Sequence, residues 1–271
     1  MVRKRRDIAE ADAQKWVAQG FGQGEGDNYT PWAKVRDVPS LGRSTRIVAL
    51  RHKRIHHLYS DVETGHFLQA DFAPGVTEIR EQFALMPREE TVEIAAELGL
   101  RHPTYRGTQV PIVMTSDLCV LRETQVGGSF VLCVKRDEAL QPDAKGLKRT
   151  LEKLLIEKYY WDRRGVPWRL VSQRHFDATQ VRNLALLRPS GKLWRSEEGG
   201  KRAAEFAERV MASGWRDLPM RRLLEATGWG EQQAFETLGH ASWRRLLPVD
   251  LTHPLNLERP LQWLEGLRNA A

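Results

Sequence analysis

Cysteine is scarce in this sequence: Cys119 and Cys133 are the only two among 271 residues. Two thiols cannot build the disulfide framework of a small secreted domain. No apolar run is long enough to cross a bilayer as a helix. The start, "MVRKRRDIAEADAQKW", turns charged and amphipathic where a signal peptide needs an apolar stretch. Repeats and low-complexity segments are missing too. "GFGQGEGDNYTPW" is rich in glycine, but it lacks the preceding strand and the GK[ST] ending of a P-loop. These absences lead us to expect a soluble, cytoplasmic protein with no membrane partner.

What is present is a chain able to fold and biased toward polyanions. Hydrophobic residues make up 41% and charged residues 28%, enough for a packed core and against wholesale disorder. Lysine and arginine number 42 against 35 acids, a formal charge of +7. Such a surplus attracts phosphate across a Debye length.

Periodicity divides the chain in two. A first helix is expected from about Asp7, then strand-like "TRIVALRHKRIHHLYS" with a turn near Arg51 to Lys53. "SDVETGHFLQADFAPG" reads as a helix stopped by Pro74 and Gly75, and "VTEIREQFAL" as a strand. A short helix, "REETVEIAAELGL", precedes the strands "PIVMTSDLCVLRE" and "SFVLCVKRD". "GLKRTLEKLLIEKYYWDRRG" is helical, with Leu147, Leu151, Leu154, Leu155 and Tyr159 on one face, and "VPWRLVSQ" adds a strand. This order predicts a mixed α/β domain over residues 1–165. Residues 166–271 differ: "GGKRAAEFAERVMASG", "DLPMRRLLEATG" and "GEQQAFETLGHASWRRL" are helical, and "RRLLPVDLTHPLNL" is ribbon-like. Three helices and a ribbon outline a winged helix, although a small helical domain with no nucleic-acid role fits as well.

The hairpin "SDLCVLRETQVGGSFVLCVK" carries an acid at one end and a base at the other. A loop centred on residue 126 would set Asp117 opposite Lys135 and Cys119 opposite Cys133, all on one face. Asp117 and Lys135 then form either an ordinary cross-strand ion pair or part of a metal-dependent phosphodiester site. In the second case Asp117 holds a hard divalent cation and Lys135 offsets charge on the transition state. A second carboxylate is needed, and Glu63 is the best candidate. Yet Ser60 followed three residues later by Glu63 is also a capping-box signature. His56 and His57 would point to opposite strand faces and are not read as ligands, while His102 is assigned to turn geometry before Pro103. Arg221, Arg222, Arg244 and Arg245 could meet phosphate, but a solvated helix face explains them better.

Several longer strings carry a resemblance. "GQGEGDNYTPWAKVRDVPSLGRSTRI", "HHLYSDVETGHFLQADFAPGVTEIREQF", "HPTYRG…VMTSDLCV", "FVLCVKRDEAL" and "TLEKLLIEKYYWDRRGVPW" occur in the order found in the TnsA family. That family is the endonuclease subunit of Tn-seven-like transposases, and the resemblance covers roughly residues 20–190.

The resemblance implies a restriction-endonuclease-like fold for the first domain. It carries the family's helix acid, strand Asp and strand Lys onto Glu63, Asp117 and Lys135. It further implies magnesium, with manganese as a substitute, and cleavage of the five-prime strand at transposon ends. The partners it implies are transposon-end DNA, the transposase TnsB and the ATPase TnsC, the last through the C-terminal region. Cys133 stands where the family has Gln or Glu two residues before the lysine. A thiol is a poor magnesium ligand, so the peptide carbonyl of Cys133 is the expected donor beside Glu63 and Asp117, and weakened metal affinity is the alternative. Resemblance to the family also places the charged strand around Arg80, Glu81 and Gln82 near the site, where residue type alone suggests a solvated edge. An inactive adaptor and a stand-alone restriction-type nuclease remain as rival readings.

Overall fold

The computed structural model describes residues 10–35, 43–212 and 214–264. The expected helix start at Asp7 and much of "VRDVPSLG" lie outside those residues. The chain separates into two compact units: residues 1–47 with 56–175, and residues 48–55 with 176–271. The division falls at His175, ten residues beyond 165, because a strand at Trp168–Val171 belongs to the first unit's sheet.

In the first unit, helix α1 (Glu10–Ala18) leads into a loop, and strands β1 (Thr45–Val48) and β2 (Ile55–Leu58) form a two-stranded sheet. Helix α2 (Asp61–Phe72) begins where Ser60 Oγ accepts the Glu63 amide at 3.1 Å, and it stops before Pro74. Strand β3 (Val76–Ala84) follows, then helix α3 (Arg88–Glu97), strands β4 (Thr115–Arg122) and β5 (Phe130–Val134), helix α4 (Leu147–Asp162) and strand β6 (Trp168–Val171). The sheet order is β3-β4-β5-β6. Its first two pairings are antiparallel, and β5–β6 is parallel, with α4 as the crossover that parallel strands require.

The core lies between this sheet and helices α3 and α4, where Leu85, Ile94, Met114, Cys119, Val131, Ile156, Tyr160 and Trp161 pack together. Leu118 and Val120 point to the other face and are fully buried as well. Burying both faces explains the continuous apolar run "LCVL" at residues 118–121. On α4 the buried face is Leu154, Ile156, Glu157, Tyr160 and Trp161, whereas Leu151, Leu155 and Tyr159 are 47%, 38% and 40% exposed. Of the expected face, Leu154 is buried, but Leu151, Leu155 and Tyr159 are not inward. Apolar residues surround most of this helix, so periodicity permits two stripes, and the sheet takes the one bearing the aromatic pair.

The β3 margin is not solvated either. Residues 22–32 form a strap along it: the Gly26 amide donates to Glu78, the Tyr29 hydroxyl to the Glu81 carbonyl, and the Trp32 amide to the Gln82 carbonyl. Gly22 lets the strap close, since a Cβ there would sit 2.4 Å from Ala84 Cβ.

The second unit contains helices α5 (Ala178–Leu187), α6 (Gly191–Arg195), α7 (Glu197–Ala212), α8 (Met220–Glu225) and α9 (Glu231–Trp243). The last three are the expected ones; α5 and α6 are additional. The ribbon is reduced to single bridges, Val249 with Trp263 and Pro219 with Pro260. Prolines at 248, 254 and 260 lack the amides a longer ladder needs. The excursion 48–55 is fastened inside this unit by Arg195, whose guanidinium donates to the carbonyls of Ala49, Leu50 and His52.

Candidate active site

At the β4–β5 hairpin the register differs from the expected one by two residues. Cys119 faces Val131 and Leu118 faces Leu132, so Asp117 is not directly opposite Lys135, and the two cysteines do not meet. The turn is centred on Gln125 instead of Val126, with Gly127 at φ 101° absorbing the left-handed step. Both thiols are free. Asp117 and Lys135 still come together, because the lysine reaches along the strand: Nζ lies 3.2 Å from Asp117 Oδ2 and 2.9 Å from the Val134 carbonyl. The Val134 amide also donates to Asp117 Oδ2, at 2.6 Å.

Glu63 faces the same space. Ala33, Tyr59, Ser60, Glu63, Gln82, Asp117 and Val134 line a cavity of about 280 Å³. The two roles considered for Glu63 turn out to be compatible. Its amide binds Ser60 as in a capping box, while its carboxylate accepts the Tyr59 amide on Oε2 and the Gln82 side-chain amide on Oε1, 3.2 Å away. Glu63 is 3% exposed. Burial first, and then repulsion from Asp117, raises its pKa to about 8. Lys135 keeps its charge: burial opposes it, but Asp117 and other neighbouring acidic groups hold its pKa above the usual lysine range.

Cys133 is 1% exposed and its thiol lies on the α4 side beside Glu157; both burial and Glu157 push the thiol well above its usual pKa. Its side chain does not line the cavity, to which β5 contributes Val134. Behind Asp117 stands a further acid, which no motif in the sequence marks. Glu157, 4% exposed, accepts from Ser116 Oγ at 2.7 Å and from Trp168 Nε1 at 3.0 Å, and Ser116 Oγ accepts from Trp161 Nε1 at 2.8 Å. Burial and then Asp117 raise the Glu157 pKa. Its position in the Leu154–Trp161 apolar face was the available clue: an acid among inward-facing residues needs buried donors. His56 is taken up elsewhere, its Nδ1 2.7 Å from Glu81 Oε2. His102 bonds Thr91 and the Pro103 carbonyl.

Among the described residues, no three His, Cys, Asp or Glu side chains converge as a ready-made metal cage. What the cavity offers is two carboxylates, an all-oxygen pair whose mutual repulsion a hard cation would relieve. Magnesium is commonly held by one or two carboxylates together with substrate phosphate, so this donor set fits it.

A mixed sheet flanked by helices, with Asp117 and Lys135 on its central hairpin and Glu63 sharing the Asp117 cavity from α2, defines a restriction-endonuclease-like α/β domain. The sequence model of the family described as "TnsA-like endonuclease N terminal" matches residues 73–173, a span that includes Asp117 and Lys135 but not Glu63. The chain is 36% identical over 187 residues to the transposon Tn7 transposition protein TnsA of Escherichia coli. That alignment covers 69% of this chain and 66% of the relative's length. The chain belongs to the TnsA family.

Proposed function

We propose that this chain is the metal-dependent DNA endonuclease subunit of a cytoplasmic transposase, cutting the five-prime strand at transposon ends. The observation that supports it most directly is that Glu63 and Asp117 line one cavity while Lys135 Nζ contacts Asp117 at 3.2 Å. In this reading Glu63, Asp117 and the Cys133 peptide carbonyl hold magnesium, or manganese in its place. When bound, the cation supplies Lewis acidity toward the scissile phosphate and an incoming water. Asp117 presents its carboxylate under the grip of the Val134 amide, and Lys135 keeps a fixed positive charge where negative charge accumulates. Glu63 is fixed at its other face by the Tyr59 amide.

The second unit is assigned to partner binding. Its third winged-helix-like element, α9, is buried over most of its length and exposes Glu231, Gln232, Gln233 and Glu236, a poor surface for DNA phosphate. Arg221 and Arg222 pair with Glu258 and Glu225. Sequence choice at the DNA is therefore ascribed to the transposase partner, TnsB, and the second unit to contact with the ATPase, TnsC.

The test is strand-resolved cleavage of labelled transposon-end DNA in magnesium with the partner transposase, comparing wild type, Asp117→Ala and Lys135→Ala. Five-prime nicks lost in both variants while three-prime cuts persist would support the assignment. Wild type that never nicks the five-prime strand would favour an inactive adaptor, and partner-independent cutting would favour a stand-alone nuclease.

A further inference from the structure

Gln82 is the one non-glycine residue within a described strand with a left-handed backbone, at φ 48°. It sits between the ladder pairs Glu81–Leu118 and Phe83–Ser116, and so lies across from Asp117. A left-handed residue inside a strand is disfavoured and persists only where its surroundings dictate it. Here three elements do so. The strap donates the Trp32 amide to the Gln82 carbonyl at 3.2 Å, β4 donates Thr115 Oγ1 to Gln82 Oε1 at 3.3 Å, and the Gln82 side-chain amide donates to Glu63 Oε1 on α2 at 3.2 Å. The Gln82 NH₂ faces the Glu63 carboxylate, which when ionised can only accept, and the Thr115 hydroxyl donates to the amide oxygen left on the other side.

The two acids of the cavity are each oriented by donors. Asp117 has the Val134 amide and Lys135; Glu63 has the Tyr59 amide on one oxygen and Gln82 on the other. Without Gln82 only one Glu63 oxygen is restrained, and the carboxylate can rotate away from Asp117. We propose that Gln82 is a positioning residue, held in a left-handed turn of β3 so that its side-chain amide aims the Glu63 carboxylate at the cavity it shares with Asp117. The inference rests on the nuclease reading above.

Two substitutions separate backbone from side chain. Gln82→Gly accepts the left-handed conformation without strain, and Gln82→Asn tolerates it but is a methylene too short to reach Glu63. Full-length variants are compared with wild type, the partner transposase supplied, for kcat, DNA affinity, thermal midpoint and direct Mn²⁺ binding followed by electron paramagnetic resonance. Both variants should keep the midpoint and DNA affinity, lose about 10- to 100-fold in kcat, and bind Mn²⁺ about ten-fold more weakly. Overturning results are kcat and Mn²⁺ affinity within two-fold of wild type, a fall in DNA affinity alone, or loss of folding in both variants. Wild type that neither cleaves nor binds Mn²⁺ would instead defeat the nuclease reading itself.

Discussion

The two units treat carboxylates in opposite ways. In the first, Glu63, Asp71, Glu78, Glu81 and Glu157 are all buried, and hydrogen bonds from main-chain amides, Gln82, Arg80, His56, Ser116 and Trp168 hold four of them in place. In the second, no Asp or Glu is buried among the described residues; its buried polar side chains are Arg54, Asn183, Thr227, Thr237, His240 and Ser242. Its acids lie outside, in helical pairs such as Glu197–Lys201 and Glu205–Arg209. A buried carboxylate is costly unless fully satisfied, so a cluster of them marks where the fold gives up stability for chemistry. The second unit carries no such burden, which suits a surface that binds rather than reacts.

The strongest way to sharpen this contrast is to remove one acid from each unit. Asp117→Ala should lower five-prime-strand cleavage by about 10³-fold with folding retained, whereas Glu236→Ala should leave the rate within two-fold in the same strand-resolved assay. Equal losses would erase the distinction. Next in size is Glu157, whose removal strips the acceptor from Ser116 and Trp168. Glu157→Leu should cost about 3 kcal/mol in denaturant unfolding, and Glu157→Gln, which keeps an acceptor there, markedly less.

How much of this was legible in the sequence depended on the range of the signal. Alternation and capping gave β3, α2 and α3, since Ser60, Pro74 and Gly99 act on their immediate neighbours. The Asp117–Lys135 meeting was foreseen although the register was not. The expected loop centre was one residue late, and the long lysine side chain bridged the resulting two-residue offset. Glu157 and Gln82 were hidden for another reason. Their roles come from the packing of α4 on the sheet and from a strap whose sequence shows no period. The exposed stripe Leu151–Leu155–Tyr159 was misassigned because a helix apolar on most sides does not say which side is inward.

Titration offers a subtler contrast, with slopes of opposite sign. Glu63 has its folded pKa raised to about 8 by burial and Asp117, so the native state holds a proton that the unfolded chain loses above about 4.5. Its contribution is present below that pH and is lost as pH rises toward 8. His240 has its pKa lowered to about 4 by burial and by Arg244 and Arg202. The unfolded chain binds that proton first, so stability is lost as pH falls from about 6.5 toward 4. Unfolding curves in chelator from pH 4 to 9 should show each slope removed by its own substitution, Glu63→Gln or His240→Asn. Taken at full value the shifts correspond to roughly 5 kcal/mol for Glu63 and roughly 3 kcal/mol for His240, upper bounds on the two effects. Slopes of the same sign would show that the burial of one of these groups is relieved in solution.

The smallest expected effect tests the quiet side of the comparison. Glu205 and Arg209 pair one turn apart on α7, with side chains 53% and 48% exposed. Water screens such a pair, and ordering two long side chains consumes most of what remains. Glu205→Ala should therefore shift stability by no more than about 0.5 kcal/mol, and added salt should shrink even that difference. A loss of 2 kcal/mol that persists in 1 M salt would mean that α7 depends on its acids as the first unit does, and the contrast drawn from burial would fail in the second unit first.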